Sequence, residues 1–494
     1  MSGACSWRAG GTFYVHKGED GAAAAGNCVG VSVRNTKNSA MGLFKALFGL
    51  GGSKATKKSR RKAKRVGGGF VPSDVSGAAA SIVLTDVDGA GGDKITENLA
   101  DIFAAISDVA VYRRKQVIKL NPKAPLFNAL QEGARTGSEW LREEEADLLV
   151  WGGTVDLGTA VELRFLPVGA AEGAVSTFGP LDHLTLPIPM PRDLYKLILV
   201  SAMGALLPVH RGARKQLAAV LEGEMKDLEK VWDSPPHLEP PHLASCLICY
   251  GNVCLSLWRS GAKKYLSKGL KAYQDAVKTV DKTENLLQWA LAQNHFADGL
   301  QMKSTQDADP DALAAAAAAY REVADALGRD NYPNEYALAL INTAMVLYKI
   351  GNKETTPARL KESAQAFESA LSAFDVELNP GRWAEAMNGY GTVMLALAER
   401  AQGPELAAKA VDAFKQALDV RKKELVPLLW AQTANNLGAA CFALAKRQPS
   451  PQLVADAQKY FTGASEIYRA AGNQKRVIVI EKNLQRVKQM ARGA

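Results

Sequence analysis

The chain reads as α+β, a small α/β sheet domain followed by an all-α superhelical solenoid with a 47-residue repeat. Three observations predict this. Short β-branched apolar runs alternate with helix-period stretches between residues 79 and 190. Strands give way to purely helical periodicity after about residue 190. Aromatic and proline positions then recur at a fixed step of 47 residues, which is the mark of stacked repeats.

At 494 residues the chain exceeds one compact core, and its 47% hydrophobic and 22% charged residues are those of an ordinary globular protein. Eight of its charges, Lys54, Lys57, Lys58, Arg60, Arg61, Lys62, Lys64 and Arg65, lie in one stretch without an acid, and without them the net charge of +9 falls to +1. The body therefore lacks the basic surplus that coats nucleic acid, and no nucleic-acid partner is expected. Six cysteines in so long a chain do not form a disulfide framework, and with no secretory pattern at the N-terminus the expected location is cytoplasmic.

Residues 1–40 read as a low-complexity leader, with Met41 the expected natural start. Residues 41–78 hold a short amphipathic segment, with Leu43, Phe44, Leu47 and Phe48 on one helical face, then the basic run and a Gly67-Gly68-Gly69 link. Apolar burial and charge attraction add at an anionic membrane surface, so peripheral membrane attachment through residues 41–65 is an alternative to a solvated tail.

In residues 79–190, Ile82 to Val87 reads as a strand, a Gly-rich turn follows, and Ile95, Leu99, Ile102, Phe103 and Ile106 fall at helical spacing. Val109 to Tyr112 is a second strand, Leu126 to Glu145 a helix, and Leu148 to Trp151 a buried strand. Val161, Leu163 and Phe165 alternate with Glu162 and Arg164, as in a strand with one wet face. Asp86 to Glu97 has some carboxylates of a calcium loop but Ala90 at the fifth position, and it follows a strand; it reads instead as a strand-to-helix turn with Asp93 capping the helix. The phrase Ala146-Asp-Leu-Leu-Val-Trp-Gly-Gly, then a turn and Ala160-Val-Glu-Leu-Arg-Phe, resembles the N-terminal domain of TolB and FlgO-like proteins. That resemblance implies an assembly or binding module. Residues 191–235 are connecting helices.

Residues 236–490 carry the repeats. Tyr273, Tyr320, Phe367, Phe414 and Phe461 form one series; Trp289, Tyr336, Trp383 and Trp430, each followed by alanine, form another; Pro310, Pro357, Pro404 and Pro451, and Pro333, Pro380 and Pro427, keep the same step. Each unit reads as two helices, with proline suited to the helix start because its missing N–H is not needed there. Trp430-Ala-Gln-Thr-Ala-Asn-Asn-Leu437-Gly438, then Ala457, Phe461 and Ala464, resembles the tetratricopeptide repeat, though the unit is longer than that family's. The resemblance implies a curved surface, lined by the first helix of each unit, that binds a protein or peptide.

Asn294, Asn388 and Asn435 recur five residues after the tryptophan and are the candidate binding residues, because an amide both donates to and accepts from a ligand backbone; their recurrence equally suits packing between units. His242, Cys246 and Cys249 share a helical face but lack a fourth ligand, so they read as core, and no metal or cofactor is expected. No HExxH, GxSxG or P-loop spacing occurs, so no catalytic residue is assigned. The reading is a non-enzymatic interaction scaffold; the competing readings are a membrane-surface adaptor and an enzyme with an unrecognised site in the α/β domain. Neither the partner nor the oligomeric state is written in the sequence.

Overall fold

A computed structural model describes residues 80–104, 109–168, 177–207, 214–232, 237–374, 376–377 and 379–493. The expected leader, the amphipathic segment and the basic run lie outside the described residues.

A five-stranded sheet of order β2-β1-β3-β4-β5 comes first, built from β1 (Ala80–Thr85), β2 (Val109–Arg114), β3 (Leu148–Val155), β4 (Ala160–Pro167) and β5 (Leu184–Pro187). The first three strands are parallel, joined through α1 (Gly92–Ala104) and α2 (Leu126–Glu143), and the last three are antiparallel. Because β1 is covered on both faces, all six of its residues are buried, and Ile82, Val83 and Leu84 follow one another without polar alternation. On one face α2 packs over Val83, Leu149, Trp151 and Leu166. A methyl at Gly137 would come within 2.6 Å of Leu149, so only glycine lets α2 approach this closely.

Two local expectations differ from the structure. β4 has no wet face: Arg164 is 5% exposed, lies 5.7 Å from the Trp151 ring, pairs with Glu162 at 2.5 Å and donates to the Pro180 and Asp182 carbonyls. The segment around Pro180 covers that face, and the charges are tolerated there because each is paired. Asp93 does not cap α1 but sits in its first turn with its side chain 91% exposed. The turn is instead tied by Thr96, whose hydroxyl donates to Gly92 and accepts from the Val87 N–H.

On the other face of the sheet, one apolar cluster continues from Ile82, Leu84 and Leu163 through α3 (Tyr195–Leu206) to α4 (Arg214–Trp232) and α5 (Pro240–Arg259). Helix α3 is buried almost all round, which explains its largely apolar sequence; its buried Lys196 pairs with Glu224 and Asp227 of α4. A methyl on Gly204 would lie 2.9 Å from Val253, so α3 and α5 meet at close range. A chain cut at residue 236 would strip Cys249, Val253 and Leu257 of this cover.

Helix α5 opens the solenoid. With α6 (Tyr265–Thr279) it forms the first hairpin; α7 (Leu286–Asp307) and α8 (Pro310–Leu327), α9 (Pro333–Gly351) and α10 (Ala358–Ala373), α11 (Pro380–Arg400) and α12 (Glu405–Val420), and α13 (Pro427–Arg447) and α14 (Pro451–Ala470) follow as four more, and α15 (Gln474–Gly493) covers the end. The extra length of the repeat is taken up in long first helices of 22, 19, 21 and 21 residues from the second unit onward. Pro333, Pro380 and Pro427 begin first helices as expected.

All five aromatics of the 47-residue series are essentially fully buried in the second helices. In the last two units the ring faces a glycine of the first helix: a methyl at Gly391 would come within 2.9 Å of Phe414, and one at Gly438 within 3.0 Å of Phe461. The small residue and the large ring are therefore one packing device, repeated.

Candidate functional site

First helices pack on one another between α5 and α7, between α9 and α11 and between α11 and α13, while second helices make no comparable contact with each other. The row of first helices thus lines the tighter side of the stack. On α9, α11 and α13 one helical face keeps partly exposed positions at the repeat step: Leu338, Glu385 and Gln432; Met345, Thr392 and Ala439; Tyr348, Leu395 and Phe442. Met345 is 42% exposed, and Lys446 lies 4.5 Å from the Phe442 ring.

The structure brings two of the three candidate asparagines together. Asn435 Nδ2 donates to Asn436 Oδ1 at 3.3 Å, and Asn436 Nδ2 donates to Asn388 Oδ1 at 3.3 Å, so a short amide ladder crosses from α13 to α11. Asn388 is 8% exposed and its carbonyl serves the neighbouring unit. Asn435 Oδ1 is buried and accepts from no donor among the described residues. Asn294 stands apart on α7, its Oδ1 likewise buried without a donor.

Next to Asn294 the face is occupied. His295 Nε2 meets Asp182 Oδ1 of the α/β unit at 2.5 Å, the imidazole stacks on Tyr273 at 5.3 Å between centroids, and Asp298 lies 3.9 Å from Nδ1. Asp182 also accepts from the Gly179 N–H at 2.5 Å. Burial disfavours the imidazolium, but the Asp182 and Asp298 carboxylates outweigh it and raise the His295 pKa. Burial likewise disfavours the Asp182 carboxylate, but His295 and the Gly179 N–H outweigh it and lower that pKa.

Further ties join the α/β unit to first helices. Ser245 of α5 exchanges hydrogen bonds with the backbone of Thr185, Thr177 and Ser256 hydroxyls meet at 2.5 Å, and Asn334 at the start of α9 donates to Asn128 of α2 at 2.8 Å. Thus the α/β unit lies on the first helices of units one and two and touches the third, and the face of α9, α11 and α13 is what stays open. Cys246 and Cys249 belong to the shared core, where burial pushes the Cys246 thiol up to about 12 and raises Cys249 as well, which disfavours the thiolate of each.

Sequence reasoning missed Asn436, although Asn342 precedes it by two periods with Gly389 between them, and it missed Arg400 and Arg447, which are 47 apart. Arg400 donates to the Gly351 carbonyl at 2.9 Å and Arg447 to the Ala398 and Ala401 carbonyls, so each arginine closes the C-terminal end of the previous unit's first helix. Asp182 gave no signal at all, since its partner lies 113 residues away.

No protein family's profile matches the sequence, and no curated protein matches it. Solved structures with a similar arrangement include the apo form of RapI, 13% identical over 60% of this chain and 100% of that one with a TM-score of 0.36. A Rap protein complexed with competence and sporulation factor is 14% identical over 61% of this chain and 77% of that one, at 0.31. The S. pombe nuclear import adaptor Nro1 is 11% identical over 59% of this chain and 99% of that one, at 0.33. At such identities and scores they assign no partner to this chain.

Proposed function

We propose that the protein is a non-enzymatic, tetratricopeptide-like scaffold that binds a protein or peptide segment on the open first-helix face of α9, α11 and α13. The observation that carries this reading is the amide ladder Asn388, Asn436 and Asn435, which ends in a buried carbonyl with no donor, beside half-exposed Met345, Leu395 and Phe442. A buried acceptor without a partner costs about 1–3 kcal/mol, and a backbone N–H of a bound segment would supply the missing donor. Asn294, with the same orphaned carbonyl beside the docked α/β unit, would take the end of such a segment. The α/β unit, TolB-like in its strand-and-hairpin phrase, acts in this reading as a binding or assembly module that closes the first two units. Among the described residues no helix is long and apolar enough to cross a membrane.

The test uses the full chain, because α5 shares its core with α3. Partners captured by the native protein from a lysate of its own source are identified by mass spectrometry, and the recovered complex is then challenged with the double variant Asn388→Ala, Asn435→Ala. Loss of the backbone-directed hydrogen bond at Asn435, with the Asn388 acceptor that anchors the ladder removed as well, predicts a roughly 2- to 10-fold weaker complex, at about 0.5–1.5 kcal/mol for the one bond. A complex that survives both substitutions and also survives Met345→Glu on the same face places binding elsewhere and sinks the reading.

A further inference from the structure

At the end of each second helix one residue plugs the junction with the following unit: Val280, Leu327, Phe374, Arg421 and Tyr468, all buried. Arg421 is the departure, a guanidinium 5% exposed where the other units carry apolar side chains. Its Nη1 donates to the Thr433 hydroxyl at 2.9 Å, but its Nε has no partner, and among the described residues no carboxylate lies within ion-pair distance of it. Glu385 of α11, whose charge acts on it only from beyond ion-pair distance, is paired instead with Arg382 at 2.7 Å. A buried charge left in this state is costly unless a counter-charge arrives.

The surroundings indicate what kind of group would arrive. The connection from Arg421 runs on through exposed Lys422, Lys423, which lies over the Trp430 ring and 4.0 Å from Glu466, and exposed Glu424 to Leu425, 77% exposed, and Leu428 at the start of α13 is 53% exposed. Cation and bare apolar surface occur together in this one link.

We propose that Arg421 anchors a carboxylate of the bound peptide segment, whose adjoining apolar side chain covers Leu425 and Leu428. Arginine suits this because its planar fork takes a carboxylate through two N–H groups. The inference specifies the chemistry of the partner proposed above, but its test needs no captured partner, so either reading can fail alone.

The probe is N-acetyl-leucine, a carboxylate beside a leucyl side chain, added to the full chain while thermal unfolding is followed at constant ionic strength. N-acetyl-leucinamide, inorganic phosphate and chloride are the controls. The expected result is a saturating rise in melting temperature with N-acetyl-leucine, larger than with the amide or chloride, because a ligand bound to the folded state alone stabilises it. Arg421→Leu is expected to melt no lower than the native chain, since unit two carries leucine at this step, and to lose the rise; Arg421→Lys keeps the charge and retains part of it. A rise undiminished in Arg421→Leu, or none in the native chain, overturns the proposal. An Arg421-dependent rise with phosphate and none with the carboxylate overturns it in favour of a phosphate ligand. Should Arg421→Leu fail to fold, Leu425→Ser with Leu428→Ser, both on exposed positions, must weaken the response to N-acetyl-leucine for the proposal to stand.

Discussion

Replacing His295 with leucine is expected to destabilise the protein by about 3–5 kcal/mol, because it leaves the Asp182 carboxylate buried and unpaired. Denaturant unfolding followed separately by probes on the sheet and on the later repeats would measure this, with the sheet-side transition moving more. Asp182→Asn in the same chain should recover part of the loss, since the neutral amide removes the stranded charge while still accepting from a donor. If the single and double variants were equally unstable, the ion pair would carry no coupling between the α/β unit and the solenoid.

The same pair sets a pH dependence. The folded pKa of His295 is raised, so its contribution is complete below its ordinary value of about 6.5 and is lost as pH rises through the raised value. The folded pKa of Asp182 is lowered, so its contribution is present above the ordinary carboxylate value of about 3.9 and is lost as pH falls through the lowered one. Facing the imidazole are Asp182 from the loop before β5, Asp298 on its own helix and the Tyr273 ring from α6, with Arg259 near Asp298. Stability assigned to the pair should therefore peak between about pH 4 and 6.5 and decline on the alkaline side. His295→Leu should abolish that alkaline decline; its persistence in the variant would assign it to other groups.

Phe414→Ala is expected to cost about 3–5 kcal/mol, the range for removing a buried aromatic ring. The ring is fully buried, and the close approach of Gly391 leaves the α11 backbone unable to collapse into the void. Since each unit is stabilised mainly by its neighbours, the loss should lower the unfolding midpoint of the later repeats together. Phe461→Ala, in the last hairpin with only α15 beyond it, should act more locally, and hydrogen exchange would show protection lost there first. Equal and small effects at the two sites would contradict the view that the ring-on-glycine contact holds each hairpin shut.

Much of this architecture could be read from the chain because it is local and repeated. The 47-residue step places an aromatic in every second helix and proline at the start of the later first helices, and period alone reveals both. Strands β1 to β4 were legible for a similar reason, as β-branched runs bounded by turn residues. Strand β5 was not: Leu184 to Pro187 is four residues long and pairs only through the antiparallel ladder of β4. The burial of Arg164 was equally hidden, because alternation shows which residues share a face but not what covers it.

Sequence by itself determined the hairpin repeat, its register and the side of each hairpin that carries Asn388 and Asn435, since helical spacing and a fixed period need no knowledge of distant segments. Only the tertiary structure decided that the α/β unit lies on the first two units through Asp182 and His295, that Asn435 is left with an unanswered carbonyl, and that Arg421 is buried without a carboxylate. These depend on contacts between residues far apart in the chain, which leave no periodic trace, because the energy of a buried polar group is set by the partner it meets and not by its neighbours in sequence.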